Sequence, residues 1–283
     1  MLELYCNNIR RPLYDLTIKI KLFKMKSVLR KGLKRKIIFT LGFLLDVYQE
    51  LSVRNYYQKL YSPLYERTTI TETLSRMSKT GEIEKKLINN TPVFCISTKG
   101  LKLLDEIIPL KNLSDKPWDG LWRIVIFDIE EKEKHIRDLI RRKLKSLGFA
   151  MWQESVYLTP HPIAEEMNEF LEEKNLIPRC ICFEAKQPNI FSPTDFTENL
   201  FNLDVLKFSY NKLNNAVLSI MTDYKNKTIN KDEAFKSLAG LMEKFQNLLM
   251  EDPFLPKELI PDFVERDTTQ KTFSKISKYI AKT

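Results

Sequence analysis

The spacing of apolar residues after position 69 predicts an amphipathic helix over Ile70–Thr80. Ile70, Leu74 and Met77 recur at intervals of four and three residues, so they lie on one side of an α-helix and form its buried face. The residues that we expect on the solvent side are Thr71, Thr73, Arg76 and Lys79. A small, polar and cationic helix face of this kind is suited to the major groove of DNA.

Local signals mark both ends of this predicted helix. Thr69 and Glu72 have the spacing of a capping box, in which two side chains satisfy free backbone amides at the helix start. Gly81 stands where helices commonly end, because glycine adopts the left-handed conformation of a helix C-terminus without strain. The helix therefore has a defined beginning and end in the sequence.

The flanking segments complete a small domain. Apolar patterns predict helices over Lys36–Gln49, Val53–Tyr61 and Lys99–Ile108, and two strand-like runs flank the turn residues Asn89–Asn90. Three helices, a two-stranded hairpin and a closing helix are typical of a winged helix-turn-helix, although such a domain can also serve protein contacts alone. The hairpin residues that we expect to contact phosphate are Lys85 and Lys86.

A second pattern alternates strands with helices. The predicted elements are, in order, a strand Trp122–Ile129, a helix Glu133–Leu147, a strand Met151–Leu158, a helix Ala164–Lys174 and a strand Arg179–Glu184. With one further strand this order is the ferredoxin-like βαββαβ plan. The missing strand is not evident, and the Lys186–Phe191 stretch is one candidate for it.

The last third of the chain is helical in pattern. Helices are predicted over Phe196–Lys225, Lys231–Met250 and Thr268–Ile280, with a rigid connection that contains three prolines over residues 252–263. The fold class is therefore α+β and multidomain. The predicted domains are a basic arm at 1–35, a winged helix-turn-helix at 36–112, a ferredoxin-like domain at 118–192 and a helical domain at 193–283.

Charge is concentrated at the start of the chain. Residues 1–36 contain eleven lysines and arginines against two acids, which equals the net charge of +9 for the whole protein. A positive segment of this kind favours a polyanionic partner, although a merely solvated basic tail is the alternative. Arg137, Arg141 and Arg142 form a further basic helix face, which could meet a phosphorylated ligand or could simply be solvated.

Composition disfavours several classes of protein. Seven glycines in no phosphate-cradling motif argue against P-loop and dinucleotide-binding enzymes, and two distant histidines argue against a catalytic triad. The four cysteines have no zinc-ligand spacing, and Cys180 and Cys182 are expected to act as small apolar residues on one face of a strand. No apolar run reaches the roughly 20 residues of a membrane span, so a cytoplasmic protein without a membrane partner is expected.

Two separated stretches of the sequence resemble one family. The run "WDGLWRIVIFDI", continued by "RDLIRRKLKSLGFAMWQESVYLTPHP", covers Trp118–Pro162 and is similar to the central domain of the PaaX family of bacterial regulators. The run "EDPFLPKELIPDF" over Glu251–Phe263 resembles the family's C-terminal proline-rich motif, with Phe263 where tryptophan is more usual. The resemblance implies a dimeric repressor that binds double-stranded DNA and that an acyl-CoA-like effector releases, without a cofactor.

The same resemblance keeps an enzymatic alternative open. The family's central domain is similar to the small CRISPR-adaptation nuclease, in which an aspartate at the end of the first strand is held to bind a divalent metal. Asp128 falls on that position, so a Mg²⁺-dependent endonuclease with Asp128 as metal ligand and catalytic residue is the alternative. The preferred hypothesis is a structural role for Asp128. In this role it caps or orients the strand-to-helix turn and shapes a dimer interface.

Overall fold

The computed structural model describes residues 32–42, 60–62, 64–88, 91–114, 116–186 and 192–282. Within these residues the chain is an α+β protein with two antiparallel sheets and a helical C-terminal part. It divides into two compact units. The first comprises the described residues of Met1–Leu104 with Ile220–Gly240 and Ser274–Thr283, and the second comprises those of Asp105–Ser219 and Leu241–Phe273. The boundaries of the four predicted domains remain a prediction.

The first unit begins with a helix and a helix-hairpin-helix segment. Its N-terminal elements are α1 at residues 32–42, α2 at Arg67–Lys79, β1 at Ile83–Ile88, β2 at Thr91–Ile96 and the first seven residues of α3, which spans Thr98–Ile107. Ile37, Phe39 and Leu41 are at most 1% exposed, which confirms the predicted core helix for the part of Lys36–Gln49 that the structure describes. The remainder of that helix and most of the helix predicted over Val53–Tyr61 lie outside the described residues. Residues 1–31 of the predicted basic arm and the Asn89–Asn90 turn lie outside the described residues.

The start of α2 differs from the prediction, whereas its end agrees with it. The helix begins at Arg67 after Glu66, whose side chain makes no capping hydrogen bond, so the predicted capping box of Thr69 and Glu72 is wrong. Thr69 lies inside the first turn, where its backbone already has helical geometry. At the other end Gly81 has a φ of +78°, which confirms the predicted glycine terminus.

The second unit contains a four-stranded antiparallel sheet with the strand order β4-β5-β3-β6. Its elements are a short helix α4 at Lys111–Ser114, β3 at Leu121–Phe127, α5 at Lys134–Ser146, β4 at Ala150–Gln153, β5 at Val156–Thr159, α6 at Ala164–Glu173 and β6 at Cys180–Lys186. The single strand predicted over Met151–Leu158 is wrong, because this stretch is a hairpin that supplies the missing strand. Its turn contains Ser155 at a φ of +61°, where the usual glycine or asparagine signal is absent.

The sheet has two different faces. One face packs against α5 and α6 in a core that includes Val125, Phe127, Ile140 and Met167. Cys180 and Cys182 both belong to this side, as their alternation on β6 predicted, and burial raises the pKa of the Cys180 thiol to about 12. The opposite face is covered only in part, by a cluster that contains residues Trp122, Leu158, Leu200 and Leu259.

The C-terminal part forms four helices. These are α7 at Pro193–Phe201, α8 at Leu203–Lys225, α9 at Lys231–Glu251 and α10 at Glu265–Lys282. The helix predicted over Phe196–Lys225 is interrupted at Asn202, which has a φ of +50° and ends α7 in a left-handed cap. Among the described residues, no helix combines the length and the apolarity that crossing a membrane requires.

Candidate nucleic-acid interface

One face of α2 is buried and the other presents cations. Ile70, Leu74 and Met77 are at most 3% exposed, as the helical spacing predicted, whereas Arg76 and Lys79 lie in the exposed class. Thr71 is half-buried, and its hydroxyl donates to the carbonyl oxygen of Arg67 at 2.9 Å. The helix is therefore anchored by its apolar side and holds two basic side chains in solvent.

The predicted exposure of Thr73 is wrong. Thr73 is 5% exposed, and its hydroxyl donates to the carbonyl oxygen of Thr69 at 2.7 Å, so it belongs to the buried side of α2. Sequence reasoning overlooked Ser75 in its place. Glu72, Ser75 and Lys79 lie at helical spacings of three, four and seven on the exposed face together with Arg76, so the same 3.6-residue period could have identified Ser75.

The hairpin carries its two predicted lysines on opposite faces. Lys85 and Lys86 are both exposed, and because successive residues of a strand alternate in direction, they point to different sides of the hairpin. Lys86 lies 3.5 Å from Glu84, an exposed ion pair of the kind that contributes little to stability. Leu87, on the same face as Lys85, is 73% exposed.

A buried carboxylate joins α1, the end of α2 and the hairpin. Glu82 accepts a hydrogen bond from Nζ of Lys34 at 2.6 Å and another from the Thr80 hydroxyl. Burial by itself raises the pKa of Glu82, but the Lys34 and Thr80 hydrogen bonds and the positive charge of Lys34 outweigh it and lower this pKa. Nζ of Lys99 donates to the Thr80 carbonyl at 2.8 Å, so the C-terminus of α2 is tied to α1 and to the start of α3.

The start of α3 approaches this junction very closely. The Ser97 hydroxyl donates to the Gly81 carbonyl oxygen at 2.5 Å and accepts the amide of Gly100 at 3.1 Å. A Cβ atom at Gly100 would lie 2.2 Å from the carbonyl oxygen of Glu82, which is far inside van der Waals contact. Glycine at position 100 therefore permits α3 to pack closely against the backbone of Glu82, just before β1.

Asp128 lies at the end of β3 with its side chain exposed. Its backbone amide donates to the Arg179 carbonyl at 2.8 Å, which continues the pairing of β3 with β6. No side chain caps the start of α5, which begins after Glu133, so Asp128 is not its helix cap. That Asp128 orients the strand-to-helix turn and shapes a dimer interface remains a prediction. Within the described ranges, no group of three or more histidine, cysteine, aspartate or glutamate side chains is arranged to hold a metal ion.

Buried ion pairs in the second unit were not predicted from the sequence. Arg123 on β3 is 4% exposed, and its guanidinium contacts both carboxylate oxygens of Asp119, at 2.6 and 2.9 Å, and Oε1 of Glu184 at 2.8 Å. The Arg123 hydrogen bonds hold the pKa of Asp119 below its usual range, against the opposing effect of burial. This arginine is fully engaged within the fold.

The proline-rich connection is fixed by a second buried pair. Asp252 is fully buried and binds Arg266 through two contacts of 2.8 and 3.0 Å, while the Tyr210 hydroxyl donates to it at 2.7 Å. The Arg266 guanidinium also lies over the rings of Phe254 and Phe263, at 4.3 and 5.3 Å from their centroids. Asp252 therefore ties the connection to α8 and α10 within the second unit.

Comparisons with known proteins match the part of the chain that follows α3. Residues 115–196 match the family model described as the PaaX protein central Cas2-like domain, and residues 201–283 match that of the PaaX-like protein C-terminal domain. The transcriptional repressor PaaX of Escherichia coli (strain K12) is 23% identical over 194 residues, which cover 66% of this chain and 61% of the relative. This chain thus spans about three fifths of the length of that curated relative.

A solved structure is similar in fold. The uncharacterized protein Rv0674 from Mycobacterium tuberculosis superposes with a TM-score of 0.52 at 16% identity, over 86% of this chain and 94% of that one. At this identity the similarity shows the fold alone. The two family models, in order along the chain and together spanning more than half of it, show that this protein belongs to the PaaX family of regulators.

Proposed function

We propose that this protein is a sequence-specific DNA-binding transcriptional repressor. The observation that carries the proposal is the exposed face of α2, which holds Arg76 and Lys79 in solvent while the opposite face of the helix is buried. The relative that bears the name of a transcriptional repressor supports the same function. The region α1 to α3 would act as a winged helix-turn-helix, with α2 as the recognition helix.

The chemistry of each exposed residue suggests a division of roles. Arg76 and Ser75 carry donors that can reach base edges in the major groove, where a bidentate arginine distinguishes guanine. Lys79, Lys85 and Lys86 present point charges suited to phosphate, which fix the position of the protein without reading sequence. Thr71 remains a candidate contact at the margin of the surface, and Thr73 is no longer one, because it is buried.

The central sheet supplies a surface for a homodimer. We assign this sheet and its two helices to the ferredoxin-like plan, in which α5 and α6 cover only one face. On the other face Ile126, Ile181 and Phe183 are 38 to 47% exposed, and Ile126 lies directly opposite Ile181 in the register of β3 and β6. A second copy would bury these apolar side chains, and a twofold dimer suits a pseudo-palindromic operator.

The dimer can be tested separately from DNA binding. Replacing Ile181 and Phe183 by glutamate places two charges on the exposed sheet face, where they would be desolvated in a dimer. Light scattering after gel filtration should then give the mass of a dimer for the wild type and of a monomer for I181E/F183E. A wild type that elutes as a monomer at all accessible concentrations would contradict this assignment.

The acyl-CoA-like effector is supported only by the resemblance to the PaaX family. A cleft of about 150 Å³ in the second unit is lined by Glu198, Lys207 and Phe263 among others, and Nζ of Lys207 is held by Glu198 at 2.6 Å. Sites for drug-sized ligands usually occupy roughly 300–1,000 Å³. We do not assign an acyl-CoA effector to this cleft, because such a ligand exceeds it in size.

The function is tested by binding to DNA from upstream of the protein's own gene. Arg76→Ala should weaken binding to this duplex by about 5- to 150-fold, the cost of losing one bidentate base contact, and should affect a random duplex much less. Lys174→Ala is the matched control, since Lys174 is an exposed cation in the second unit. A duplex that binds no better than random DNA would contradict sequence-specific repression.

The same experiment addresses the nuclease alternative. Parallel samples with Mg²⁺ and with EDTA should both contain intact, retarded DNA if the protein only binds. Products that appear only with Mg²⁺, and that an Asp128→Ala variant does not form, would replace the repressor by a metal-dependent nuclease. The comparisons favour the repressor, because the named relative is one.

A further inference from the structure

The outer surface of α5 carries an excess of positive charge. The helix contains six lysines and arginines and a single acid, Asp138. Lys143 is bound to Glu166 at 2.6 Å, and Lys145 reaches Glu251 only at 4.0 Å. Among the described residues, ion pairs within 4.0 Å are absent for Lys134, Arg137, Arg141 and Arg142.

These side chains follow one line along the helix. Lys134, Arg137, Arg141 and Lys145 are separated by three, four and four residues, so they lie on one side of α5, with Arg142 beside them. At 1.5 Å per residue the line is roughly 16 Å long. Duplex DNA carries one negative charge per about 1.7 Å of its axis, so several phosphates fall within that length. We call these five residues the α5 basic surface.

The neighbouring helix does not neutralise this charge. α6 carries five glutamates and no base, yet the described structure contains one ion pair between the two helices, that of Lys143 with Glu166. Arg137 is half-buried, and its Nε atom finds no acceptor among the described residues. Arg141 and Arg142 are exposed. The fold therefore leaves the guanidinium groups of Arg141 and Arg142 available to an external anion.

We propose that the α5 basic surface binds the phosphate backbone of duplex DNA and adds affinity without sequence preference. The proposal rests on the proposed DNA-binding function and extends it to the central domain. Arginine guanidinium groups suit phosphate because they donate two parallel hydrogen bonds. The sequence of α5, KHIRDLIRRKLKS, contains no tyrosine, tryptophan or phenylalanine, so it lacks the stacking platform that favours single strands.

The location of this surface is compatible with the proposed dimer. α5 lies on the face of the sheet that its own core covers, whereas the exposed apolar residues Ile126, Ile181 and Phe183 lie on the opposite face. A second copy that docks on the apolar face would leave α5 in solvent. Each subunit would then offer one α5 basic surface to the DNA.

The test is the salt dependence of binding by an R141Q/R142Q variant of the full chain. Glutamine removes each charge and keeps a good helix former, so the melting temperature should not change. The matched control is K236Q/K244Q, which removes two charges from exposed positions of α9. Fluorescence anisotropy would follow labelled duplex from upstream of the gene and a random duplex of the same length.

We expect the slope of log Kd against log salt concentration to decrease by about two per bound subunit for R141Q/R142Q, because each lost phosphate contact removes close to one released counterion. Both duplexes should lose affinity by the same factor, so the preference for one over the other is retained. The K236Q/K244Q control should keep the wild-type slope.

Other outcomes separate this proposal from the proposed function. If the R141Q/R142Q variant has the same slope as the wild type, the α5 basic surface does not bind DNA. The proposed repressor function would be unaffected by this result. A wild-type protein that binds both duplexes with equal affinity would overturn sequence-specific repression. The salt dependence of binding to the random duplex would still test the α5 basic surface. Binding of polyglutamate would be measured for the same proteins. If R141Q/R142Q keeps the wild-type salt dependence of DNA binding but no longer binds polyglutamate, the surface binds an acidic protein partner and the proposal is overturned.

Discussion

Two arginines, one in each unit of this protein, have opposite roles. Arg76 on α2 is exposed, whereas Arg123 on β3 is 4% exposed and donates to Asp119, Glu184 and the Pro160 carbonyl. The first can bind a polyanion, because its hydrogen-bond donors face solvent. The second has its donors satisfied within the fold, so the same residue type stabilises the sheet.

The carboxylates differ in the same way. Asp128 at the end of β3 is exposed, whereas Asp252 is fully buried against Arg266 and Tyr210. A charge in solvent can be changed at little cost in stability, but a buried charge that loses its partner leaves an uncompensated ion in the interior. Changes at buried charges should therefore alter stability, and changes at exposed charges should alter binding.

The largest effect on stability is expected at Asp252. Asp252→Ala removes the partner of the buried Arg266 guanidinium and the acceptor of the Tyr210 hydroxyl, so the free energy of unfolding should fall by about 3–5 kcal/mol. Urea denaturation followed by circular dichroism measures this change. Asp262→Ala, at an exposed position of the same connection, should change it by less than about 0.5 kcal/mol. Equal losses in the two variants would contradict the assigned role of Asp252.

An intermediate effect is expected where α3 meets the hairpin. Gly100→Ala places a Cβ atom 2.2 Å from the Glu82 carbonyl oxygen, so the backbone must shift and the free energy of unfolding should fall by about 1–3 kcal/mol. Gly240→Ala is the control, because a Cβ there meets nothing within 4 Å and alanine favours the helix by about 0.5–1 kcal/mol. Thermal melts should move in opposite directions, and a destabilised Gly240→Ala variant would contradict this reasoning.

The smallest effect is expected from the protonation of His161. Burial lowers the pKa of His161 and the charge of Arg123 lowers it further, although the hydrogen bond to the Pro253 carbonyl opposes them. The unfolded chain then binds a proton first as pH falls below the ordinary histidine pKa of about 6.5, so stability decreases from there down to the lowered pKa. Above that window both states are neutral and His161 adds no pH dependence.

A comparison of variants isolates this contribution. Urea midpoints of His161→Gln should vary less with pH, between pH 6.5 and the lowered pKa, than those of the wild type. The control variant is His135→Gln, which removes the other histidine of the chain from an exposed position. A His161→Gln variant with the wild-type pH profile would assign the acid sensitivity to other groups.

The sequence predicted the features that depend on local periodicity. The buried stripe of Ile70, Leu74 and Met77 and the glycine terminus of α2 are confirmed, as are the helix-strand alternation of the central domain and the family itself. The hairpin of β4 and β5 was missed, because Ser155 adopts a positive φ that its residue type rarely shows. Thr73 was predicted to be exposed but is buried, because the buried face of α2 extends beyond Ile70, Leu74 and Met77 to include it.

Local sequence alone thus determined the buried face of α2, where α2 ends and where positive charge accumulates, because these properties depend on residues a few positions apart. Only the tertiary structure decided which polar residues are buried. Arg123 meets Glu184 across 61 positions, and Tyr210 meets Asp252 across 42. Whether a charge serves stability or recognition depends on partners that come from distant parts of the chain, and those partners are brought together only when the fold forms.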